Sequence, residues 1–460
     1  MAMAMARASS KSLHVVMLPW LAFGHMIPFY QLSIALAKAG IRVSYISTPK
    51  NIARLPIIPT NLQPLFKFVE FRLPVIDGLP KGAEATADLS MEETELLKKA
   101  YDMLDTEFKN FVSVESVDWI IQDVIAYWVV DIAKEFGIRQ IWFSVFCSVV
   151  FAFLGHPNKQ RFSWQSLTSA PEWMTFPSTV AFKSFEAKPF FSGIYCENAS
   201  VMSDIERLAK IVQGCQAIAS KSCREYEGRY LDVFQMAYAK PVIPVGILPP
   251  VTPEKKKETS EGEIFKWLDQ QKNKSVVYVG FGSEVKLSRE QVSEIAHGLE
   301  LAKLPFLWAL RKPMWAANDD DALPSGFRSQ TRDIGMVILG WVPQLDILAH
   351  PSVGGSLFHS GWGSIIETLQ HGHTLVVLPF VFDQGLNARL LVEKGLAVEV
   401  DRTDDGKFNG EDIAKALRFA MLNEEGESVR ARAREMKPLF SDQKLHYGHY
   451  ISEFVQYLKA

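Results

Sequence analysis

The stretch HVVMLPWLAFGHMIPFYQLSIALAKAGIRVSYIST, residues 14–48, decides the fold class. Its first five residues, His14–Leu18, form a short apolar run of the length expected for a strand buried on both faces. Ile27–Ala39 repeats apolar residues at helical spacing and stops at Gly40. Arg42–Thr48 returns to the β-branched and aromatic residues of a strand. Pro19, Gly24 and His25 read as a loop between the first strand and the helix. A strand, a helix and a second strand at this spacing form the unit from which parallel sheets are built.

The rhythm continues outward. Phe66–Leu73, Asp118–Asp123 and Arg139–Ser144 are further strands, with helical patterns over Met91–Phe111 and Tyr127–Phe136. Residues 155–200 lose the alternation and are rich in Phe, Ser and Pro, which suits long loops and short helices over a pocket. A second series opens at Ser275–Gly282 and runs through Arg289–Leu301, Phe306–Leu310, Gly335–Val342, Val353–His359, Trp362–Gln370, Thr374–Phe380 and Leu396–Val400. Between the series lies GILPPVTPEKKKETSEG, 246–262, with the Pro, charge and small polar residues of a linker. Gln443–Leu458 reads as a closing helix whose docking periodicity does not specify. The expected class is α/β: two doubly wound halves facing a cleft at the carboxyl ends of their strands.

Composition narrows function. The 460 residues are 48% hydrophobic and 22% charged, globular proportions with length for two cores. Lys and Arg number 49 against 52 Asp and Glu, a net charge of −3, so no basic excess is present to hold a nucleic acid. Four cysteines without a C-x-x-C pair suit a reducing compartment. Arg7 and Lys11 precede an apolar run, Leu13–Phe23, but no small-residue cleavage site follows it. Ile141–Leu154 is too short to span a bilayer. The expectation is a cytoplasmic protein without stable membrane insertion.

Common site motifs are absent. Gly280-Phe-Gly282 and Gly361-Trp-Gly363 each lack the third glycine of a dinucleotide fingerprint, and no P-loop occurs. Ser283 and Ser360 lack the glycines of a nucleophile elbow. Asp319, Asp320 and Asp321 read as a solvated loop, and His371-Gly-His373 has no further metal ligand nearby.

The densest functional pattern is WVPQLDILAHPSVGGSLFHSGWGSIIETLQHGHTLVVLPFVFDQ, 341–384. It resembles the signature box of plant family-1 UDP-dependent glycosyltransferases over that box's full length. LPWLAFGHMIPFYQLSIALA, 18–37, resembles the family's catalytic segment, and VVYVGFGSE, 276–284, the opening of its donor half. PWLAFGH, ISTPKNIARLP and LPPVTP are most similar to the subgroup that adds a sugar to an existing glycoside, some members resembling rhamnosyltransferases and others glucosyltransferases. The resemblance implies a GT-B fold: residues 1–247 an acceptor-binding Rossmann-like half, 248–262 a linker, 263–437 the UDP-sugar half, and 438–460 a helix packing back on the first half.

It also implies the site. Trp341 offers a flat face to uracil, and the Val342 backbone pairs with the base edge. Gln344 and Glu367 take the ribose hydroxyls. Gly354, Gly355, His359, Gly361, Gly363 and Ser364 are placed where a strand ends and a helix begins, an arrangement that presents free N–H groups to phosphate. Gly282 and Ser283 complete that cradle, and Trp362, Asp383 and Gln384 read the hexose. His25 is the base, because imidazole titrates near working pH. Asp123 is its partner, holding the tautomer as in a hydrolytic triad; the alternative role for Asp123 is a cap on the helix that follows. Trp119, Trp128, Trp142, Phe143 and Phe146 are either acceptor-pocket lining or core.

The implied reaction is inverting and metal-independent, with the UDP-sugar as co-substrate: a hexosyl group, glucose or rhamnose, moves to a hydroxyl of a small plant metabolite, a flavonoid or terpenoid glycoside. The expected partners are that donor and acceptor, and the expected state is a monomer. Departures fall at the phosphate cradle. Where the family usually has His-Cys-Gly-Trp-Asn-Ser, this chain has His359-Ser-Gly-Trp-Gly-Ser364, so Gly363 removes an amide that would contact the donor. Ser356 replaces a usual Phe, and His373-Thr374 a usual Val-Pro. The loss at Gly363 leaves open a second reading, a catalytically weak protein that binds nucleotide sugars or glycosides.

Overall fold

The computed structural model describes residues 12–90, 92–159, 163–199, 201–251 and 261–460. Most of the expected linker, 252–260, therefore lies outside the described residues, as do Arg7, Lys11 and Met91.

Seven strands form the first sheet: β1 (His14–Leu18), β2 (Arg42–Ser47), β3 (Phe66–Glu70), β4 (Trp119–Gln122), β5 (Arg139–Ser144), β6 (Ala217–Ser220) and β7 (Val242–Pro244). Their order is β3-β2-β1-β4-β5-β6-β7, and all pairs are parallel. Six form the second: β8 (Val276–Gly280), β9 (Phe306–Leu310), β10 (Gly335–Leu339), β11 (Val353–Phe358), β12 (Thr374–Val377) and β13 (Ala397–Glu399), in the parallel order β10-β9-β8-β11-β12-β13. β1, β4 and β11 are buried at every position because helices cover both faces.

In each sheet the order reverses once, between β1 and β4 and between β8 and β11. The connections on either side of such a reversal leave in opposite directions, opening a crevice at the strands' carboxyl ends. Both crevices are occupied by residues of the expected site.

Several boundaries differ from the sequence reading, the strands read as Phe66–Leu73, Gly335–Val342 and Thr374–Phe380 each ending three residues sooner, and three further differences change an element. The first helix is Phe23–Lys38, so Gly24 and His25 are in its opening turn instead of a loop. The helix runs on through Pro28, which lies past the first turn and removes one N–H from the ladder there. Met91–Phe111 is not one helix; Thr94–Asp102 and Asp105–Val114 are separated by Met103 and Leu104. Gly354 and Gly355 lie inside β11, not at its end. A side chain on Gly354 would meet the Lys274 carbonyl at 2.2 Å, and one on Gly355 the Met421 sulfur at 2.4 Å, so both serve close packing.

The chain ends on the first sheet. Lys444–Tyr450 is a π-helical segment and Ile451–Lys459 an α-helix. Ile451, Phe454 and Leu458 pack among Val15, Leu32 and Trp119, and the Trp119 indole donates to the Leu458 carbonyl at 2.9 Å. The crossing requires Gly246, which has φ +78° and would place a Cβ 2.9 Å from the His446 carbonyl oxygen. The two halves share a core along this flank, where Tyr226 and Trp362 stack at 5.6 Å and Phe440 closes edge-on.

Candidate active site

At the crevice of the first sheet, β1 leads into the helix bearing His25, and β4 ends one residue before Asp123. Neighbouring parallel strands therefore deliver the two side chains to one point. The Asp123 carboxylate is 1% exposed and accepts from the His25 ring at Nδ1 (2.9 Å), Trp20 N (2.9 Å) and Val124 N (2.7 Å). With Nδ1–H held by Asp123, Nε2 carries the lone pair facing outward. The following helix begins at Val129 behind Trp128, so capping it is not the task of Asp123.

Burial lowers the His25 pKa, but the charge and hydrogen bond of Asp123 outweigh it and leave the group above its ordinary 6.5. Glu284 and Asp383 add to the rise from the other half of the molecule, so their charges are felt across the cleft. Phe146 meets the ring edge-on at 5.2 Å. Of the five aromatics considered for the acceptor pocket, Phe146 is the partly exposed one. Trp119, Trp128, Trp142 and Phe143 are core.

The second crevice holds the remaining residues. Trp341 is 80% exposed, its indole face free, while Val342 is buried beside it. Gln344 and Glu367 face each other: the Gln344 amide donates to Glu367 at 2.5 Å, and its carbonyl accepts from the Tyr278 hydroxyl at 2.9 Å. Burial raises the Glu367 pKa, with the Gln344 hydrogen bond offsetting part of the rise.

β8 ends at Gly280 and β11 at Phe358, so Gly282, Ser283 and His359 meet at the reversal. Gly282 has φ +70°, and a Cβ there would lie 2.7 Å from His359 Cε1; on the ring's other side, one on Gly361 would lie 2.5 Å from Nε2. The imidazole is clamped between two glycines. Burial drives its pKa down to about 4, so it is neutral, and its buried Nδ1 has no partner among the described residues. The helix Trp362–Leu369 begins immediately after, with its first N–H groups open to an anion and Gly363 and Ser364 on its exposed side. A Cβ on Gly363 would meet nothing within 4 Å.

Asp383 and Gln384 are fixed from behind. Asn387 donates to Asp383 at 2.7 Å and to the Ser360 carbonyl at 3.0 Å. The Gln384 side-chain carbonyl accepts from Phe380 N at 2.9 Å and Val381 N at 3.1 Å, leaving its NH₂ as the end that can read a ligand. Burial raises the Asp383 pKa. Ser360 holds a left-handed φ of +60° and donates its hydroxyl to the Gln384 carbonyl at 2.8 Å. Strain of this kind concentrates where surrounding bonds over-determine a loop.

One expected role changes. The Trp362 indole N–H is spent on the Lys221 carbonyl at 2.8 Å and the ring is 4% exposed, so this side chain joins the two halves instead of reading hexose hydroxyls. The sequence reading also passed over Tyr278, Asn387 and Lys221. The last had a visible signal, a lone cation directly after the small apolar strand Ala217–Ser220.

Comparison with known proteins agrees over nearly the whole length. The model of the UDP-glucoronosyl and UDP-glucosyl transferase family matches residues 113–444. UDP-glycosyltransferase 91A1 of Arabidopsis thaliana is 43% identical, over 97% of this chain and 96% of that protein. Soyasaponin III rhamnosyltransferase of Glycine max is 39% identical, over 98% and 97%. Among solved structures, Arabidopsis thaliana UGT89C1 complexed with UDP-L-rhamnose superposes with a TM-score of 0.75 at 23% identity, covering 98% of this chain and 100% of that one.

Proposed function

The chain is a plant family-1 UDP-glycosyltransferase of GT-B fold, and from that premise we propose that it transfers a hexosyl group, glucose or rhamnose, to a hydroxyl of a small glycoside with inversion at the anomeric carbon. The observation that carries this reading is the His25–Asp123 pair, 2.9 Å apart, at one crevice, with carboxylates of the opposite half within its electrostatic reach.

His25 Nε2 takes the proton from the acceptor hydroxyl as its oxygen attacks the anomeric carbon. The bond from that carbon to the diphosphate oxygen breaks, and UDP departs from the opposite face. Asp123 supports the imidazolium as it forms. The helix Trp362–Leu369, the neutral His359 and Ser364 receive the growing phosphate charge, a task suited to fixed dipoles in a site with little water. In this reading the displacement requires no metal. Residues 1–247 hold the acceptor and 263–437 the donor. The preference for a glycoside rests on the subgroup pattern in 19–25, 46–56 and 248–253 and on the relative named a soyasaponin rhamnosyltransferase.

The test is an assay of UDP release with UDP-glucose and UDP-rhamnose against flavonoid and triterpenoid glycosides, products read by mass. Acceptor-dependent turnover with one donor, abolished in His25→Ala, is expected. UDP-sugar binding without turnover on any glycoside would leave the weak-binder reading standing instead.

A further inference from the structure

Lys221 follows β6 at its carboxyl end. Its N–H donates to the Ser144 carbonyl at 2.9 Å, and its carbonyl accepts from the Trp362 indole. The residue is 4% exposed, and its ammonium makes no hydrogen bond or ion pair among the described residues. Burial lowers its pKa to about 8, with the charge of Glu367 opposing the fall.

A lysine enclosed to this degree whose ammonium has no counter-charge is costly, because most of its contact with water is lost without compensation. Two other enclosed cations are paired, Arg207 with Asp102 and Arg389 with Glu186 and Glu399, while Arg402, whose Nε and one Nη have no hydrogen-bond partner among the described residues, lies over the rings of Phe185, Phe380 and Phe408. The Lys221 backbone is bonded to the residue that begins the helix Trp362–Leu369, the helix whose open N–H groups face the proposed phosphate position. Glu367, the one group whose charge opposes that fall, lies on the same helix and is already engaged by Gln344. The missing counter-charge is therefore to be sought in the ligand.

We propose that Lys221 pairs with the diphosphate of the nucleotide donor, so that the first half of the chain contributes a cation to an anion cradle otherwise built by the second. The proposal rests on the donor-site reading above and adds a consequence: the leaving group bridges both halves, and its binding and release are coupled to their docking. Because Lys221 contacts phosphate, its loss falls on nucleotides according to their phosphate content and spares the nucleoside.

The experiment is titration calorimetry of the full chain with UDP and with uridine, on wild type, Lys221→Met, Lys221→Gln and Lys221→Arg. Loss of a charge-assisted contact predicts UDP binding weaker by about ten- to hundredfold in Lys221→Met and Lys221→Gln. Uridine binding stays unchanged, and Lys221→Arg keeps most of the UDP affinity. Equal UDP affinity in a folded Lys221→Gln or Lys221→Met overturns the proposal. So does an equal loss for uridine, which would assign Lys221 to Glu367 and the ribose. The underlying reading fails separately, if wild type binds neither ligand or if Trp341→Ala leaves uridine binding intact. Lys221→Gln, which keeps a polar end of similar length, secures the comparison should the methionine variant not fold.

Discussion

At the scale of single residues, the proposed mechanism requires His25 to be unprotonated while its pKa is held above 6.5. The base is active above that value, so kcat/KM should fall as pH drops through it. Asp123→Asn removes the largest influence raising the pKa and leaves burial, which lowers it. The acid limb of the profile should then move to lower pH, while the maximal rate falls about 10²-fold or more through loss of imidazolium support. An unmoved limb would show that Asp123 does not set this titration. Gly363 gives a prediction of opposite sign. The space over it is open and its φ is ordinary, so Gly363→Asn should fit, and a regained contact of about 1 kcal/mol should lower the donor KM several-fold. The sequence already carried much of this site, because side-chain chemistry is written in residue types: an imidazole, a carboxylate, a flat indole. It did not disclose that the Trp362 N–H is taken by a backbone carbonyl 141 positions away, since that bond exists only once the halves meet.

At the scale of elements, strand positions were legible because parallel strands buried on both faces leave continuous apolar runs; β1, β5 and β9 coincide with them. Helix ends were less legible. Phe23–Lys38 starts four residues earlier than its periodicity suggests, because packing of Met26 and Phe29 on the sheet, not pattern, fixes the first turn. Gly354 and Gly355 misled in a similar way: glycines can mark a turn or, as here, a close approach. The element most exposed to a single change is the helix Gln384–Glu393, which follows Asp383 directly. Its Arg389 pairs with Glu186 of the other half and with Glu399 at 2.7 Å, and Lys183 also reaches Glu399 at 2.8 Å. Arg389 and Glu186 are each 9% exposed. Arg389→Met strands the buried Glu186 carboxylate, leaves Glu399 to Lys183, and should cost about 3–5 kcal/mol, measured by urea unfolding. A cost below 1 kcal/mol would mean that the network contributes position without stability.

At the scale of the whole molecule, two sheets with their own reversals could unfold separately, yet the chain ties them together, among other contacts, through the Trp362–Tyr226 stack, through the Arg389 network, and through the final helix returning to the first sheet. The sequence announced two halves by repeating the strand–helix rhythm, but not their fusion, because contacts between distant apolar residues leave no periodic trace. The fusion makes a specific claim. Since one core contains residues from both sides of the linker, urea should unfold the molecule in one transition, with far-UV circular dichroism and tryptophan fluorescence superimposing. UDP, which binds the folded state, should move that single midpoint upward in proportion to the logarithm of its concentration above Kd. In Trp362→Ala the stack and the bond to Lys221 are both lost, and the two signals should separate, the donor-half transition alone retaining its response to nucleotide. Separate transitions already in wild type would mean that the halves are docked without being thermodynamically coupled. The shared flank would then serve to align His25 with the donor and not to hold the fold together.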